Sequence, residues 1–310
     1  MSTSKILIAA IHYPVASGRY MDSAFRRLGC DVRTAGPEQG SHIWGVEVDE
    51  RYTWRPNYTA GDLFGDYGIG GILKGFDNWT PDLIVCMDSS FTIMGERDEF
   101  PCPKVLYGVD NHLKTYNRKG EWYDHKFLAH RGGPALPVCD CGDQTWLPCA
   151  YDKRWFTPSS IPMADRRYDV SLVGWPTPER LELVEAMTEA GIAVYATLGA
   201  IYENYRDIYH NSKISLCRSA EQDVAQRVFE TAAMGCALLS NRPPDLTRLG
   251  AREYEHYAPF NTPQEAIVEA RRLLADNTEL ERLAAAGQAW ALPHTWDARA
   301  QTILETMRLS

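Results

Sequence analysis

An arginine and a glutamate, three residues apart, open a stretch that otherwise resembles protein core. The stretch is QRVFETAAMGCALLSNRPPDL, residues 226–246, and it predicts a short helix, a glycine and an apolar strand. Near the start of such a helix, backbone N–H groups and the helix dipole favour an anion such as a diphosphate. Arg227 would add a two-pronged donor for phosphate, and Glu230 could accept two ribose hydroxyls. The alternative is a surface ion pair worth a few tenths of a kcal/mol, but the apolar neighbours favour a binding site.

The elements that must position these charges alternate between strand and helix. Short apolar runs predict parallel strands at residues 5–11, 81–88, 103–110 and 145–150, and again at 168–174, 192–197 and 213–218. The stretch 177–191 predicts a helix with Thr177 as N-cap, Pro178 at its first position and Gly191 at its end. Residues 65–71, GDYGIGG, do not complete a G-x-G-x-x-G fingerprint, and we interpret them as a flexible turn.

The chain of 310 residues is long enough for two domains. Residues 151–167 carry two prolines, paired serines and no apolar periodicity, which indicates a linker. We therefore predict an α/β protein of two doubly wound Rossmann-like domains, residues 1–160 and 161–310, facing each other across a cleft. The last helix, from Trp296 onward, would be able to pack back on the first domain.

In parallel sheets, ligands bind at the carboxyl ends of the strands. In the first half His12 directly follows the first strand, and Asp88 and Asp110 each end a later one. A histidine whose ring is oriented by an aspartate is a good proton acceptor. We treat all three as candidate catalytic residues: His12 as base, oriented by Asp88 or Asp110, or either aspartate as the base itself. A purely structural histidine is the alternative.

Four runs of the second half resemble a known family. They are YDVSLVGWPTPERLELVEAM, YHNSKISLCR, QRVFETAAMGCALLSNRPPDL and LPHTW, and over roughly residues 168–300 they are similar to the C-terminal domain of GT-B glycosyltransferases of the spore-maturation CgeB type. The resemblance implies a nucleotide-diphosphate sugar as donor, most simply a UDP-sugar, and no other cofactor. It implies that Glu230 holds the donor ribose, that Arg227 and Arg218 hold the diphosphate, and that Gly174 and Trp175 form a loop beside the phosphates.

The sequence departs from the pattern of that fold at one position. Many retaining GT-B enzymes carry two glutamates eight positions apart, but here Gln222 stands eight before Glu230, with Glu221 and Asp223 beside it. The stereochemistry of transfer therefore stays open. The chain contains no D-x-D triplet, which fits the family's use of protein cations instead of a metal on the leaving diphosphate.

The acceptor is expected in the first half. Aromatic faces stack on sugars and unstacked bases, and Trp54 lies in a loop with Trp44, Tyr52 and Tyr58. The alternative is a loop folded over the core by its own aromatics. Asn111 and His112 form a second candidate cluster, followed by Lys114 and Arg118. A hydroxymethylated DNA base is one candidate acceptor, with Lys114, Arg118 and Lys119 on phosphates; a saccharide or a surface protein is another.

Composition limits the remaining classes. The formal net charge is −9, and both halves are acidic, which argues against broad nucleic-acid binding. No apolar run is long enough to span a bilayer, and the N-terminus is interpreted as a first strand. Cys86, Cys217 and Cys236 fall inside apolar strand-like runs, so we expect a reduced, cytoplasmic protein. A zinc site at Cys139, Cys141 and Cys149 is conceivable, but the usual C-x-x-C spacing is absent. The rival functions are a GT-B-fold nucleotide-sugar epimerase and a non-catalytic sugar-nucleotide-binding protein.

Overall fold

The computed structural model describes residues 3–43, 45–60, 66–77, 79–88, 92–112, 122–131, 143–219 and 221–309. The chain divides into two compact units. The N-terminal unit comprises Met1–Pro148 and Trp296–Ser310, and the C-terminal unit comprises Cys149–Thr295. The division falls before the proline-rich segment, not within it at residues 160 and 161. The segment joins the C-terminal unit because Ser159 bonds to Met234 and His210, and Arg166 donates to the carbonyls of Ser212 and Gly235.

The N-terminal unit is built on a parallel sheet. Its strands are β1 (Lys5–Ala9), β2 (Asp31–Gly36), β3 (His42–Ile43), β4 (Val46–Glu47), β5 (Tyr58–Thr59), β6 (Asp66–Gly68), β7 (Leu83–Met87), β8 (Thr92–Met94), β9 (Lys104–Gly108), β10 (His125–Leu128) and β11 (Gln144–Trp146), and its first helices are α1 (Ser17–Arg27) and α2 (Ile69–Gly75). The large sheet has the order β11-β10-β9-β7-β1-β2-β5. The order reverses direction between β1 and β7, which is where such sheets bind ligands.

Burial on both faces explains the central strands. β7 and β9 are buried at every position, as expected of parallel strands covered on both sides. β10 escaped prediction because His125 and Lys126 interrupt its apolar pattern, yet both are buried. The expected flexible turn at residues 65–71 is wrong: β6 and the start of α2 lie there, and Ile69 and Ile72 anchor α2 in the core.

The C-terminal unit repeats the architecture with a smaller sheet. Its strands are β12 (Tyr168–Val173), β13 (Val194–Thr197), β14 (Ser212–Cys217), β15 (Ala237–Ser240) and β16 (Ala258–Pro259), and its helices are α3 (Pro178–Glu189), α4 (Tyr202–His210), α5 (Gln226–Ala233), α6 (Pro244–Arg248), α7 (Pro263–Ala275) and α8 (Asn277–Ala291). All neighbours in the order β13-β12-β14-β15-β16 are parallel. The predicted cap of α3 is confirmed, since the Thr177 hydroxyl accepts from the N–H of Arg180.

The last helix, α9 (Trp296–Thr306), belongs to the N-terminal unit. Trp296 is fully buried there and stacks on Tyr20 of α1, with ring centroids 6.1 Å apart. Nε of Arg27 donates to Asp297 over 2.6 Å. An apolar anchor and an ion pair thus fix α9 against α1. Of the helices in the described part of the chain, none is both long and apolar enough to cross a membrane.

Candidate functional site

The C-terminal unit gathers its charged residues at the switch point of its sheet. β12 and β14 are neighbours whose carboxyl ends meet, and the chain leaves them at Gly174 and Arg218. Helices α3 and α5 follow these two strands, so their N-termini lie at the same edge. The N-cap of α5 is Ala225, which offers no side-chain acceptor to the first N–H groups. Uncapped N–H groups at a switch point favour a bound anion.

A small pocket opens at this edge. Three arginines line it: Arg180, Arg218 and Arg227. The other lining residues are small or polar: Cys217, Ser219, Asp223, Ala225, Val228, Ser240 and Asn241. Three guanidinium groups against a single carboxylate give the pocket an excess of positive charge, which a diphosphate would neutralise.

Arg227 differs from the other two arginines, whose guanidinium groups donate hydrogen bonds to backbone carbonyls. Its guanidinium forms no hydrogen bond or salt bridge with any residue of the described chain, although burial and charged neighbours act on it. Burial works to lower its pKa, but the neighbouring groups of Tyr209, Tyr205, Cys217 and Glu230 together raise it. Gly174 makes room for this side chain: its φ is +144°, and a Cβ there would lie 2.2 Å from Nη2 of Arg227. The predicted glycine loop therefore lies directly against the predicted phosphate-binding arginine.

Arg180 was missed by the sequence analysis. It lies in the first turn of α3, where its Nε donates to the carbonyl of Arg218 (3.1 Å) and its Nη1 to the carbonyl of Trp175 (2.8 Å). Burial and the nearby charge of Arg227 lower its pKa to about 10. An arginine one turn into the helix after a glycine loop is a signal that could have found it. Trp175 itself is 49% exposed.

Glu230 is buried one turn into α5, and other side chains hold it. The hydroxyl of Tyr205 donates to its Oε2 over 2.9 Å, and Nε2 of Gln226 donates to its Oε1 over 2.5 Å. Burial raises the pKa of Glu230 to about 6, against the opposing effect of these two hydrogen bonds and of Arg227. The carboxylate keeps unused lone pairs, so it can still accept hydroxyl groups.

The loop between β14 and α5 is fixed by its own polar groups. Ser219 donates its N–H to Asn241 (2.9 Å), and the N–H of Asp223 donates to the Ser219 hydroxyl (2.8 Å). Gln222, which replaces the expected first glutamate, is exposed and has φ of +62°. Gln222 is therefore on the surface of this loop, and it is not among the residues that line the pocket.

At the switch point of the N-terminal sheet, His12 follows β1. It is fully buried, and neither ring nitrogen has a hydrogen-bond partner among the described residues. Trp54 covers it, with ring centroids 3.9 Å apart. Burial lowers the pKa of His12 to about 4, against the opposing effect of the nearby backbone of Ala10 and Pro37, so the ring is neutral at physiological pH. The imidazole is thus buried and neutral, and it follows β1 at the carboxyl edge of the sheet, where parallel sheets bind ligands.

The aspartates do not orient this histidine. The predicted His–Asp hydrogen bond is a wrong expectation, since both ring nitrogens of His12 lack a partner in the described chain. Asp88 and Asp110 instead act on Tyr13: burial raises the pKa of that tyrosine, and the two carboxylates raise it further. Asp88 has φ of +60°, a left-handed conformation that aspartate tolerates better than most residues.

The residues predicted to bind the acceptor differ in what the structure shows of them. The amide of Asn111 is used by the backbone of His130, donating to its carbonyl (2.6 Å) and accepting from its N–H (2.8 Å). This clamp corrects the idea that the Asn111 side chain is available for an acceptor. His112 packs edge-on against His130, with ring centroids 4.4 Å apart. Lys114 and Arg118 lie outside the described residues, as do Trp44 and Lys119.

The aromatic loop folds over its own unit. Trp54 and Tyr52 are buried, and Tyr58 packs edge-on against Phe76, with ring centroids 6.0 Å apart. The guanidinium of Arg19 holds the loop to α1 by donating to the carbonyls of Tyr52 and Pro14. The loop is therefore ordered by its own contacts, and Trp54 reaches the catalytic candidate His12.

Of the three cysteines of the proposed zinc site, the structure describes one. Cys149 is a buried free thiol, while Cys139 and Cys141 lie outside the described residues. Within the described ranges, no group of three or more His, Cys, Asp or Glu side chains is placed to hold a metal ion.

Residues 164–305 match a family model described as "Glycosyl transferase-like". No curated protein sequence matches the chain. Solved structures do: a sucrose-phosphate synthase from Thermosynechococcus elongatus has 13% identity and a TM-score of 0.61, covering 97% of this chain and 98% of that one. An alpha-glucosyltransferase solved with UDP-glucose and DNA containing an abasic site has 11% identity and a TM-score of 0.67, covering 99% and 100%.

A third structure, Anabaena Alr3699/HepE solved with UDP and glucose, has 10% identity and a TM-score of 0.65, covering 99% and 100%. At such low identities these likenesses establish the fold. The chain has the GT-B fold of glycosyltransferases, which confirms the predicted fold class, and the larger part of its C-terminal unit is similar to a glycosyltransferase-like family.

Proposed function

We propose that the protein is a glycosyltransferase that moves a sugar from a UDP-sugar to a hydroxyl group, with the donor bound by the C-terminal unit. The observation that carries the proposal is the pocket with three arginines, in which the guanidinium of Arg227 has no partner in the described chain. Such a pocket suits a diphosphate. The family match over residues 164–305 supports the donor half. Two proteins of the same fold were solved with related ligands: HepE with UDP and glucose, and alpha-glucosyltransferase with UDP or with UDP-glucose.

The arginines would act on the leaving group. When the bond between the anomeric carbon and the diphosphate oxygen breaks, negative charge accumulates on the diphosphate. Arg227, Arg180 and the N-terminus of α5 would stabilise that charge without a metal ion. Glu230, held by its two hydrogen bonds, would accept the ribose hydroxyls.

His12 would act on the acceptor. The acceptor oxygen attacks the anomeric carbon as its proton passes to a ring nitrogen of His12, and the diphosphate leaves with the bonding electrons. The buried neutral imidazole with two unpartnered nitrogens supports this role. Asp88 and Asp110 remain alternative bases, and either would receive the same proton.

The acceptor and the subtype are finer parts of the proposal. Because two structures of the same fold, of alpha-glucosyltransferases, were solved with DNA, one with an abasic site and one with an HMU base, we retain a hydroxymethylated DNA base as the first acceptor to test. Saccharides and surface proteins are the next. We assign the chain to the CgeB-like type on the four sequence runs, and to the cytoplasm because Cys86, Cys217 and Cys236 are buried free thiols.

Calorimetric titration with UDP and UDP-glucose tests the donor site. We expect binding by the wild type and a loss of at least about 30-fold for Arg227→Ala, because truncating one side of a desolvated charge pair costs roughly 2 kcal/mol or more. The matched control is Arg282→Ala, which removes an exposed arginine paired with Glu279 on α8. Equal affinities of Arg227→Ala and the wild type would reject the pocket as the diphosphate site.

Turnover assays separate the rival functions. Transfer of glucose to an acceptor, or slow hydrolysis of UDP-glucose, supports a transferase. A product that is an epimer of the intact nucleotide sugar identifies an epimerase, and tight binding without any turnover identifies a binding protein. For DNA containing a hydroxymethylated base, affinity that falls steeply with salt would support a nucleic-acid acceptor, and a flat response would contradict it.

A further inference from the structure

Helix α4 contributes two tyrosines to the donor site that no sequence motif indicated. Tyr205 and Tyr209 lie one turn apart and are buried, with ring centroids 4.7 Å apart. Neither lines the pocket. Tyr205, however, donates a hydrogen bond to Glu230, and Tyr209 accepts one from the backbone beside Gly174.

Tyr205 acts on the carboxylate. Its hydroxyl donates to Oε2 of Glu230 over 2.9 Å, while Gln226 donates to Oε1. Two donors from two different helices therefore fix the plane of the carboxylate. A carboxylate with one bond on each oxygen cannot rotate freely, and its remaining lone pairs have set directions.

Tyr209 acts on the glycine turn. Its hydroxyl oxygen accepts from the N–H of Val173 over 3.1 Å. Val173 is the last residue of β12, and the next residue is Gly174, where no Cβ can be accommodated against Arg227. The hydroxyl of Tyr209 also acts electrostatically on Arg227. The position of the backbone on which the Arg227 side chain rests is thus set by this tyrosine.

We infer that Tyr205 and Tyr209 are positioning residues of the donor site: Tyr205 sets the direction of the Glu230 carboxylate for the ribose, and Tyr209 sets the Val173–Gly174 turn against Arg227. The inference rests on the proposed function and names residues of the same site. Both act through other residues and need not touch the donor. Core packing alone would be the competing explanation, and substitution by phenylalanine leaves that packing in place.

The test is calorimetric titration with UDP between pH 5.5 and 8 for Tyr205→Phe and Tyr209→Phe. We expect each to weaken UDP binding about threefold to tenfold at pH 7.5, the usual effect of one lost hydrogen bond. Because the Tyr205 hydroxyl helps to keep the pKa of Glu230 down, its removal raises that pKa. Binding by Tyr205→Phe should therefore fail at a higher pH than in the wild type, whereas Tyr209→Phe should keep the wild-type pH profile.

Double variants and a control show whether the tyrosines act through the named residues. The effect of Tyr205→Phe should vanish in a Glu230→Gln background, and that of Tyr209→Phe in an Arg227→Ala background. Tyr195→Phe is the control, since Tyr195 is on β13 and stacks on Tyr168, away from these bonds. It should bind UDP like the wild type.

The outcomes are distinct. UDP affinity and pH profile unchanged in both phenylalanine variants would overturn the inference while leaving the proposed donor site standing. Losses that persist undiminished in the double variants would also overturn it, since they would reflect packing. Failure of the wild type to bind UDP would overturn the proposed donor together with the inference.

Discussion

The two sheets place a buried titratable residue at the same kind of edge, but in opposite surroundings. Glu230 in the C-terminal unit has a hydrogen-bond donor on each carboxylate oxygen. His12 in the N-terminal unit has no hydrogen-bond partner on either ring nitrogen within the described chain. In the proposed function, the first arrangement would present a fixed acceptor to a ligand's hydroxyls. The second would be a proton acceptor packed against the ring of Trp54.

The pKa directions show the same contrast. Burial disfavours the charged form of both groups, so it raises the pKa of Glu230 to about 6 and lowers that of His12 to about 4. A histidine with so low a pKa is neutral but a weak base.

The largest effect expected is on turnover. His12→Gln should lower kcat about 100-fold to 10,000-fold, the usual contribution of a general base. UDP affinity should be unchanged, because the residues that line the arginine pocket belong to the C-terminal unit. Steady-state transfer assays and calorimetry measure the two quantities.

His42→Gln, at an exposed position on β3, is the matched control. If His12→Gln kept turnover within tenfold of the wild type, the base would have to be Asp88 or Asp110. Asp88→Asn and Asp110→Asn would then decide between them.

The next effect is on stability, and it has opposite signs in the two units. The folded pKa of Glu230 is raised from 4.5, so its contribution to stability grows as pH falls from about 6 to 4.5, by up to roughly 2 kcal/mol. The folded pKa of His12 is lowered from 6.5, so its contribution is present above pH 6.5 and is lost as pH falls to about 4, by up to roughly 3 kcal/mol.

Denaturant unfolding of wild type, Glu230→Gln and His12→Gln across that pH range measures these slopes. As pH falls, the free energy of unfolding of Glu230→Gln should decrease relative to that of the wild type. The free energy of unfolding of His12→Gln should increase relative to that of the wild type. If the stability difference from the wild type changed with pH in the same direction for both variants, the contrast between Glu230 and His12 would be contradicted. Donor affinity should fall as pH falls, although the contribution of Glu230 to stability rises, because in the proposed site the ribose hydroxyls bind the ionised carboxylate.

The smallest expected effect is on donor binding, and it tests the role of Gly174. Gly174→Ala should weaken UDP-glucose binding about 10-fold to 50-fold, since the added Cβ would displace the Arg227 guanidinium, which is proposed to donate charged hydrogen bonds to the diphosphate. In an Arg227→Ala background the same change should have little effect. Gly191→Ala is the control: its φ is also positive, at +81°, but a Cβ there has nothing within 4 Å. Equal losses at both glycines would assign the effect to backbone strain instead.

Much of the fold followed from short-range pattern. Apolar runs located β1, β7, β9, β12 and β14, and the cap and stop residues of α3 were placed correctly because capping is a local property. β10 was missed since buried Lys126 and His125 look like surface residues in sequence. The position of Arg227 and Glu230 at the start of a helix also followed from the sequence, because a helix start is set by neighbouring residues.

Local sequence therefore determined the strands, the helices and the charged start of α5. Only the tertiary structure decided which distant residues meet within each unit: Arg180 beside Arg227 and Tyr205 on Glu230 in the C-terminal unit, and Trp54 on His12 and the Asn111 amide on the backbone of His130 in the N-terminal unit. The physical reason is range. Capping and periodicity act over a few residues, whereas the pocket forms from residues up to 61 positions apart, Arg180 and Asn241, which become neighbours only when parallel strands align their carboxyl ends.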